Sequence, residues 1–306
     1  MSAEISDTSL DVLRRRTEQI FGGRKIADVL PKQLDIVGPP RKQLSAIAQR
    51  AMDKLAQQIS PTREELDALE LCIRRMRPAL LSHQGDILDT PQFSIPSNVR
   101  AALRAVLPGV AALTDAAGSV MGTGFLISAN HVMTNQHVVD DLVIGRSLAE
   151  FRREQAEPFG HPQALVVDCV FQSSELDIAI LAIEPDEPLP APLPMSAQEV
   201  QSERPLLAIG YPVCDPSCPL LANEVFDGTY GVLRVSPGMA IGTASRVLFH
   251  DCSTLLGSSG SPLWDMTENA VIGVHRSGAF AFRNEAIPCA ELALSTGVRG
   301  LAHRWI

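Results

Sequence analysis

The stretch "LLGSSGSPLWD", residues 255–265, surrounds three serines with two glycines and one proline. Such a run of small residues usually forms only a turn. A serine hydroxyl is a weak nucleophile unless a neighbouring base takes its proton, so the meaning of this stretch depends on the rest of the chain. Two other stretches contain a histidine and a carboxylate: "GTGFLISANHVMTNQHVV", residues 122–139, and "SELDIAILAI", residues 174–183.

Together the three stretches contain the parts of a nucleophilic triad in the order His137, Asp177, Ser259. The imidazole would take the serine proton, and the carboxylate would hold the imidazole in the required tautomer. Each stretch alone is weak evidence, since a lone histidine or an aspartate beside a strand is usually structural. In this order and combination they indicate serine hydrolase chemistry.

Rival residues are weaker candidates for the base and the acid. We interpret His131 as an exposed turn residue and His250 as a satisfied structural histidine. Asp140 and Asp141 follow the base too closely in sequence to orient it, whereas Asp177 heads an apolar strand. A lipase-type hydrolase would need the order Ser, Asp, His and alternating helices, which the sequence does not contain.

Two regions with different periodicities predict the domain organisation. Apolar residues recur at three and four positions up to about residue 85, which predicts a small bundle of three or four helices within residues 1–90. Residues 91–104 are interpreted as a linker and lead-in. Short Val- and Ile-rich runs separated by Gly, Pro, Asn and Ser follow in residues 105–306 and predict an all-β barrel or sandwich. The predicted fold class is therefore α+β multidomain, a helical bundle followed by an all-β domain.

One helix start within the N-terminal region has two possible registers. In "SPTREELDALELCIRRM" either Ser60 caps the helix with Pro61 at its first position, or Thr62 caps it and Glu65 closes a capping box. The sequence leaves both open.

Composition and charge limit the classes of protein to which the chain could belong. The 306 residues are 45% hydrophobic and 20% charged, as in an ordinary globular protein, and the N-terminus shows no export signal. No apolar run is long enough to span a membrane. Residues 1–96 carry 14 Lys/Arg and 13 Asp/Glu, and the remainder carries 12 and 22, which accounts for the net charge of −9. This acidic remainder disfavours nucleic acid as a partner.

The six cysteines predict a cytoplasmic protein with reduced thiols, since no export signal precedes them. Cys214 and Cys218 in "CDPSC" have a spacing that could form half of a metal site, but the sequence has no second pair of residues at the spacing of metal ligands. We expect neither a metal nor another cofactor.

The three stretches resemble the trypsin-like (chymotrypsin-fold) serine peptidases over roughly residues 105–300. In that family the base follows Thr-Asn/Ala-x-His, here "TNQHVV", and the nucleophile lies in Gly-x-Ser-Gly-x-Pro, here residues 257–262. The chain is most similar to bacterial members without a secretion signal, through "IGYP" (209–212), "FDGTYGVLRVSPG" (226–238) and "HDCST" (250–254). The resemblance implies two six-stranded β-barrels with the site between them.

The resemblance also implies roles within the serine stretch. The backbone N–H groups of Gly257 and Ser259 would form the oxyanion hole, and Gly260 would allow the tight turn that exposes the nucleophile. Ser258 stands where many relatives carry Asp or Asn, so activation by pairing a new N-terminus with that carboxylate is not expected. Ser261 belongs to the turn.

The same resemblance places the specificity pocket around Ser253, Thr254, His275 and Gly278. A trypsin would carry a carboxylate where Ser253 stands, so cleavage after Lys or Arg is not supported. Thr254 and His275 fall where glutamyl endopeptidases carry Thr and His, which predicts cleavage after Glu, then Gln or Asp.

A protein or peptide substrate is therefore expected, and the helical segment 1–90 is expected to regulate the peptidase or to bind a regulatory protein partner. It could act as an inhibitory pro-segment or as an adaptor in a bacterial defence system. The alternative is a protease-like barrel that binds peptides without cutting them.

Overall fold

The structure, a computed structural model, describes residues 7–30, 41–155, 161–216, 225–279 and 283–306. The helices of four residues or more within these ranges are α1 (Asp7–Phe21), α2 (Ile26–Val29), α3 (Arg41–Ala56), α4 (Arg63–Met76), α5 (Ser97–Val106), α6 (Gln136–Val139), α7 (Cys289–Leu292) and α8 (Thr296–Leu301).

The strands follow an N-terminal helical region and alternate only with short helices. They are β1 (Leu80–His83), β2 (Asp86–Ile87), β3 (Val110–Thr114), β4 (Val120–Ser128), β5 (His131–Thr134), β6 (Leu148–Phe151), β7 (Gln163–Ser173), β8 (Ile178–Pro185), β9 (Pro205–Gly210), β10 (Arg234–Ala244), β11 (Val247–His250), β12 (Pro262–Asp265), β13 (Ala270–Ala279) and β14 (Arg283–Pro288).

Helices α1–α4 share a hydrophobic core of their own, which includes the fully buried Phe21, Leu69 and Ile73. The start of α4 settles the two registers left open by the sequence. Thr62 is the N-cap, its side chain accepts from Glu65 N, and the Glu65 carboxylate accepts from Thr62 N at 2.7 Å. The capping box is thus formed, because it satisfies two backbone N–H groups that the helix itself cannot.

The helical region ends earlier than residue 90. After α4 the chain runs through three residues into β1, and Leu80 pairs with Val235 of β10. The segment read as linker and lead-in contains a helix, α5, whose buried Val99 and Leu103 join the core shared by the two barrels. All three elements were missed, because β1 and β2 are only four and two residues long and most of α5 lies in the stretch interpreted as linker and lead-in.

Two closed six-stranded barrels make up the β region, as the resemblance implied. The first closes in the order β3-β4-β5-β8-β7-β6. The second runs β11-β14-β13-β12-β9-β10 and closes through pairing of β10 with β11, and β1 and β2 extend its sheet beyond β10. Alternate residues of β3 divide between two cores, Val110 and Ala112 in one and Ala111 and Leu113 in the other, because successive side chains point to opposite faces.

Buried ion pairs attach the helical region to the second barrel. Asp251, just after β11, pairs with Arg16 of α1 and with Arg77, whose Nη2 lies 2.6 Å from Asp251 Oδ2. Arg16 also donates to Glu70 of α4 at 2.7 Å. The side chains of these four residues are at most 10% exposed, so the contact is a desolvated interface.

The five described cysteines carry free thiols, and Cys218 lies outside the described residues. Among the described helices none is long and apolar enough to cross a membrane.

Candidate active site

The first barrel places a histidine beside an aspartate. His137 lies on α6, directly after β5, and Asp177 immediately precedes β8, which pairs with β5. His137 Nδ1 lies 2.9 Å from Asp177 Oδ2, and the backbone N–H of His137 donates to Asp177 Oδ1 at 3.1 Å. The carboxylate therefore holds the ring through Nδ1, so that Nε2 is the nitrogen that can accept a proton.

The residues before His137 hold this pair in place. Asn135 Nδ2 donates to the carbonyl of Asp177 at 2.9 Å, and Thr134 Oγ1 donates to Thr123 O at 2.7 Å. Asp177 has a φ of 52°, in the left-handed region, so its backbone is held in a conformation that few non-glycine residues adopt. These contacts give a physical reason for the Thr-Asn-x-His pattern.

The serine loop, residues 257–261, precedes β12 of the second barrel and contains two glycines with positive φ. Gly257 and Gly260 have φ of 78° and 86°, and a Cβ on Gly260 would lie 2.0 Å from Thr123 O. Thr123 N donates to Ser259 O, and Thr123 Oγ1 donates to Gly257 O, both at 2.8 Å. No side chain fits at position 260, because the loop lies directly against β4 of the first barrel.

Two backbone N–H groups are free beside the nucleophile candidate. In the described part of the chain neither Gly257 N nor Ser259 N donates a hydrogen bond, whereas Ser258 N between them donates to Leu255 O at 3.1 Å. Free N–H groups at these positions suit an oxyanion better than a neutral loop, where buried N–H groups are paired.

The serine and the histidine are not joined by a hydrogen bond among the described residues. Ser259 Oγ instead donates to Arg276 O of β13 over a long 3.4 Å. The pair His137–Asp177 is formed, whereas the part of Ser259 in a triad remains a prediction. Catalytic hydrogen bonds in unliganded enzymes are commonly loose in this way.

The pKa of His137 lies above its ordinary value of 6.5, chiefly because Asp177 accepts a hydrogen bond from the ring. A protonated ring cannot take the serine proton, so we expect kcat/KM to be low at acidic pH and to rise with a midpoint above 6.5. Asp177→Asn should lower that midpoint and reduce kcat by about 10⁴-fold, since the ring loses its tautomer. Peptide hydrolysis between pH 5 and 9 measures both; an unchanged midpoint in the variant would refute this assignment.

A cavity of about 200 Å³ opens next to Ser259. Of the four predicted pocket residues, Thr254, His275 and Gly278 line it, and Ser253 is buried and does not. A Cβ on Gly278 would lie 2.4 Å from Asn284 Oδ1, so the absence of a side chain there keeps the cavity open. The remaining lining residues are Arg74, Asp215, Leu255, Leu256, Ser277 and Asn284.

His250 does not line this cavity but is buried against His275, which does. Its Nε2 lies 3.1 Å from His275 Nδ1, and both rings are buried. Burial lowers the pKa of His275 to about 3, with the charge of His137 acting in the same direction, so the His275 ring is neutral at pH 7. His250 is buried, as a structural histidine would be, but it is only partly satisfied: Nε2 contacts the pocket histidine, which the sequence did not reveal, and Nδ1 has no partner among the described residues.

The interpretation of His131 as an exposed turn residue is wrong. It begins β5, is half-buried, and its Nδ1 lies 2.7 Å from Ser128 Oγ. The stretch "GTGF", residues 122–125, lies within β4. Thr123 in that stretch joins the histidine loop to the serine loop; a buried threonine between two glycines was the only signal for it.

Residues 122–274, half of the chain, match the family of the trypsin-like peptidase domain, and the chain belongs to that family. This membership and the double barrel make it a serine protease of the trypsin-like class. A serine endoprotease from Yersinia pestis is similar in structure at 20% identity, with a TM-score of 0.49 over 67% of this chain and 68% of that chain. The active form of a protease from M. tuberculosis is similar at 23% identity, with a TM-score of 0.48 over 71% and 94%. No curated protein has a matching sequence.

Proposed function

We propose that the chain is an endopeptidase that works through His137, Asp177 and Ser259 and an acyl-enzyme. Ser259 Oγ attacks the peptide carbonyl while His137 Nε2 takes its proton. The same ring then gives that proton to the leaving amine, and a water molecule repeats the sequence to release the acid. The observation that carries this proposal is the hydrogen-bonded His137–Asp177 pair, together with the N–H groups of Gly257 and Ser259, which donate to no acceptor within the described residues.

The alternative is a protease-like module that binds peptides without cutting them, and the long Ser259–Arg276 contact favours it. A fluorophosphonate probe separates the two, because it reacts only with an activated serine. We expect labelling that is lost in Ser259→Ala and kept in Ser261→Ala. Ser261 is a suitable control, since its Oγ is buried without a hydrogen-bond partner in the described structure. No labelling of the wild-type protein would support the binding module.

We further propose cleavage after Glu, then Gln or Asp. Thr254 and the neutral His275 line the cavity beside Ser259, and both can donate to a carbonyl or carboxylate oxygen. A peptide library cut after Lys or Leu and not after Glu would contradict this specificity.

Residues 1–90 are proposed to regulate the peptidase, as an adaptor for a protein partner or as an inhibitory segment. Of the described residues in this region, Arg74 alone lines the cavity, which favours an adaptor over a plug. Arg16→Ala with Arg77→Ala should loosen the helices from Asp251. If this variant leaves activity and partner binding unchanged, both versions are wrong.

A role in bacterial defence is proposed from the family resemblance alone. Bacteria that carry the wild-type chain should survive phage challenge better than those with Ser259→Ala, and equal survival would exclude this role.

A further inference from the structure

One wall of the cavity beside Ser259 comes from outside the β-barrels. Arg74 lies on α4 of the helical region and lines this cavity together with residues of the second barrel. Its side chain is 4% exposed, so it is held in place and largely desolvated. The helical region therefore contributes a charged group to the proposed substrate pocket.

Two acceptors hold this guanidinium. Arg74 Nε donates to Glu70 Oε1 at 2.6 Å, and Nη1 donates to the carbonyl of Cys252 at 3.3 Å. The same carbonyl accepts from Asn284 Nδ2 at 2.5 Å, and Asn284 also lines the cavity. A guanidinium carries five N–H donors, so donors remain for a ligand after these two bonds.

The buried cluster behind the pocket has more positive than negative groups. Arg16, Arg74 and Arg77 face two carboxylates, Glu70 and Asp251. Arg16 and Arg74 hold the pKa of Glu70 at about 2, against the opposing effect of burial, so this carboxylate is charged at neutral pH. These five groups together carry a formal charge of +1, and Asp215, an acid that also lines the cavity, lies outside this cluster.

No other described residue that lines the cavity supplies a positive charge. His275 is neutral, and a neutral ring beside a hydroxyl binds an amide as well as a carboxylate. Asp215 is the other charged lining residue and is itself an acid. Discrimination between Glu and Gln therefore needs the guanidinium.

We propose that Arg74 is the cation that selects an acidic side chain before the scissile bond, so that the helical region completes the specificity pocket of the peptidase. This inference rests on the proposed function, because it assumes that the cavity receives that side chain. It makes the helical region part of the substrate site in addition to any regulatory role.

The test compares matched substrates that differ only in Glu or Gln before the cleaved bond. For Arg74→Gln we expect kcat/KM on the Glu peptide to fall by about 100-fold or more, as for loss of a buried charge-assisted hydrogen bond, and on the Gln peptide by less than about 3-fold. Binding of product peptides ending in Glu or Gln to Ser259→Ala, with and without Arg74→Gln, should show the same change without turnover.

Arg75→Gln is the matched control, since this arginine is next in sequence, equally buried and does not line the cavity. It should leave the Glu/Gln ratio unchanged. Arg74→Lys keeps the positive charge and should retain part of the preference for Glu over Gln. This variant replaces Arg74→Gln in the test if the latter does not fold.

An unaltered Glu/Gln ratio in Arg74→Gln, or a wild-type protein that cuts after Gln as fast as after Glu, overturns this inference and leaves the peptidase proposal standing. If the wild-type protein neither cuts peptides nor reacts with a fluorophosphonate, the proposed function itself fails.

Discussion

Replacing Ser259 with alanine is expected to reduce kcat by about 10⁶-fold, and His137→Ala should cost nearly as much. The double variant should be hardly slower than either single one, because nucleophile and base act as one unit. The remaining turnover would come from the Gly257 and Ser259 N–H groups and from substrate binding, which survive both changes. Peptide hydrolysis under saturating substrate measures these ratios.

The matched control for this experiment is Ser258→Ala. The Ser258 hydroxyl accepts a hydrogen bond from Leu255 N at 3.2 Å, so its loss should lower stability by about 1 kcal/mol and leave turnover within a few-fold. A result in which Ser258→Ala is inactive and Ser259→Ala is active would move the nucleophile to the neighbouring residue and refute the proposed mechanism.

The second large effect is expected at Asp251, the carboxylate that attaches the helices to the second barrel. Asp251→Ala leaves Arg16 and Arg77 buried without this partner, which should reduce the free energy of unfolding by about 3–5 kcal/mol. Urea unfolding measures it. Glu203→Gln is the control, since its ion pair with Arg15 is about half exposed and contributes less than about 1 kcal/mol.

This contribution should depend on pH in a defined direction. Arg77 and Arg16 hold the pKa of Asp251 well below that of an ordinary carboxyl, despite the opposing effect of burial. The stabilisation is therefore complete above the unfolded value of about 4 and is lost as the pH falls below it. The difference between wild type and Asp251→Ala should shrink at acidic pH; a constant difference down to pH 2 would contradict the ion-pair explanation.

Local patterns predicted the all-β region and pointed to the candidate triad, which stays a prediction, because each depends on short stretches with strict requirements. Gly260 must lack a side chain beside Thr123 O, and Asn135 must reach the carbonyl of Asp177, so these residues stand at fixed spacing from the residues that they position. Such patterns can be read in one sequence. The strands could be predicted from short apolar runs, which are likewise a local pattern.

Contacts between distant stretches could not be predicted in this way. Arg74 lies 178 residues before Cys252, whose carbonyl it contacts, and nothing near Arg74 in sequence distinguishes it from the adjacent Arg75. The pairing of His250 with His275 likewise depends on the second barrel bringing β11 and β13 to either side of β14. The composition of each stretch is compatible with many partners, and the fold selects one.

The three residues between α4 and β1 determine how a partner could act on the helices. Because Leu80 and Leu81 pair with β10, the helical region is tethered within a few residues of its binding site. A tether this short gives the docked state a high effective concentration, so a detached helical region would rebind faster than most free partners could replace it. A partner would therefore gain more by reshaping the docked helices than by pulling them away, and a small shift of α4 would be transmitted to Arg74 at the pocket.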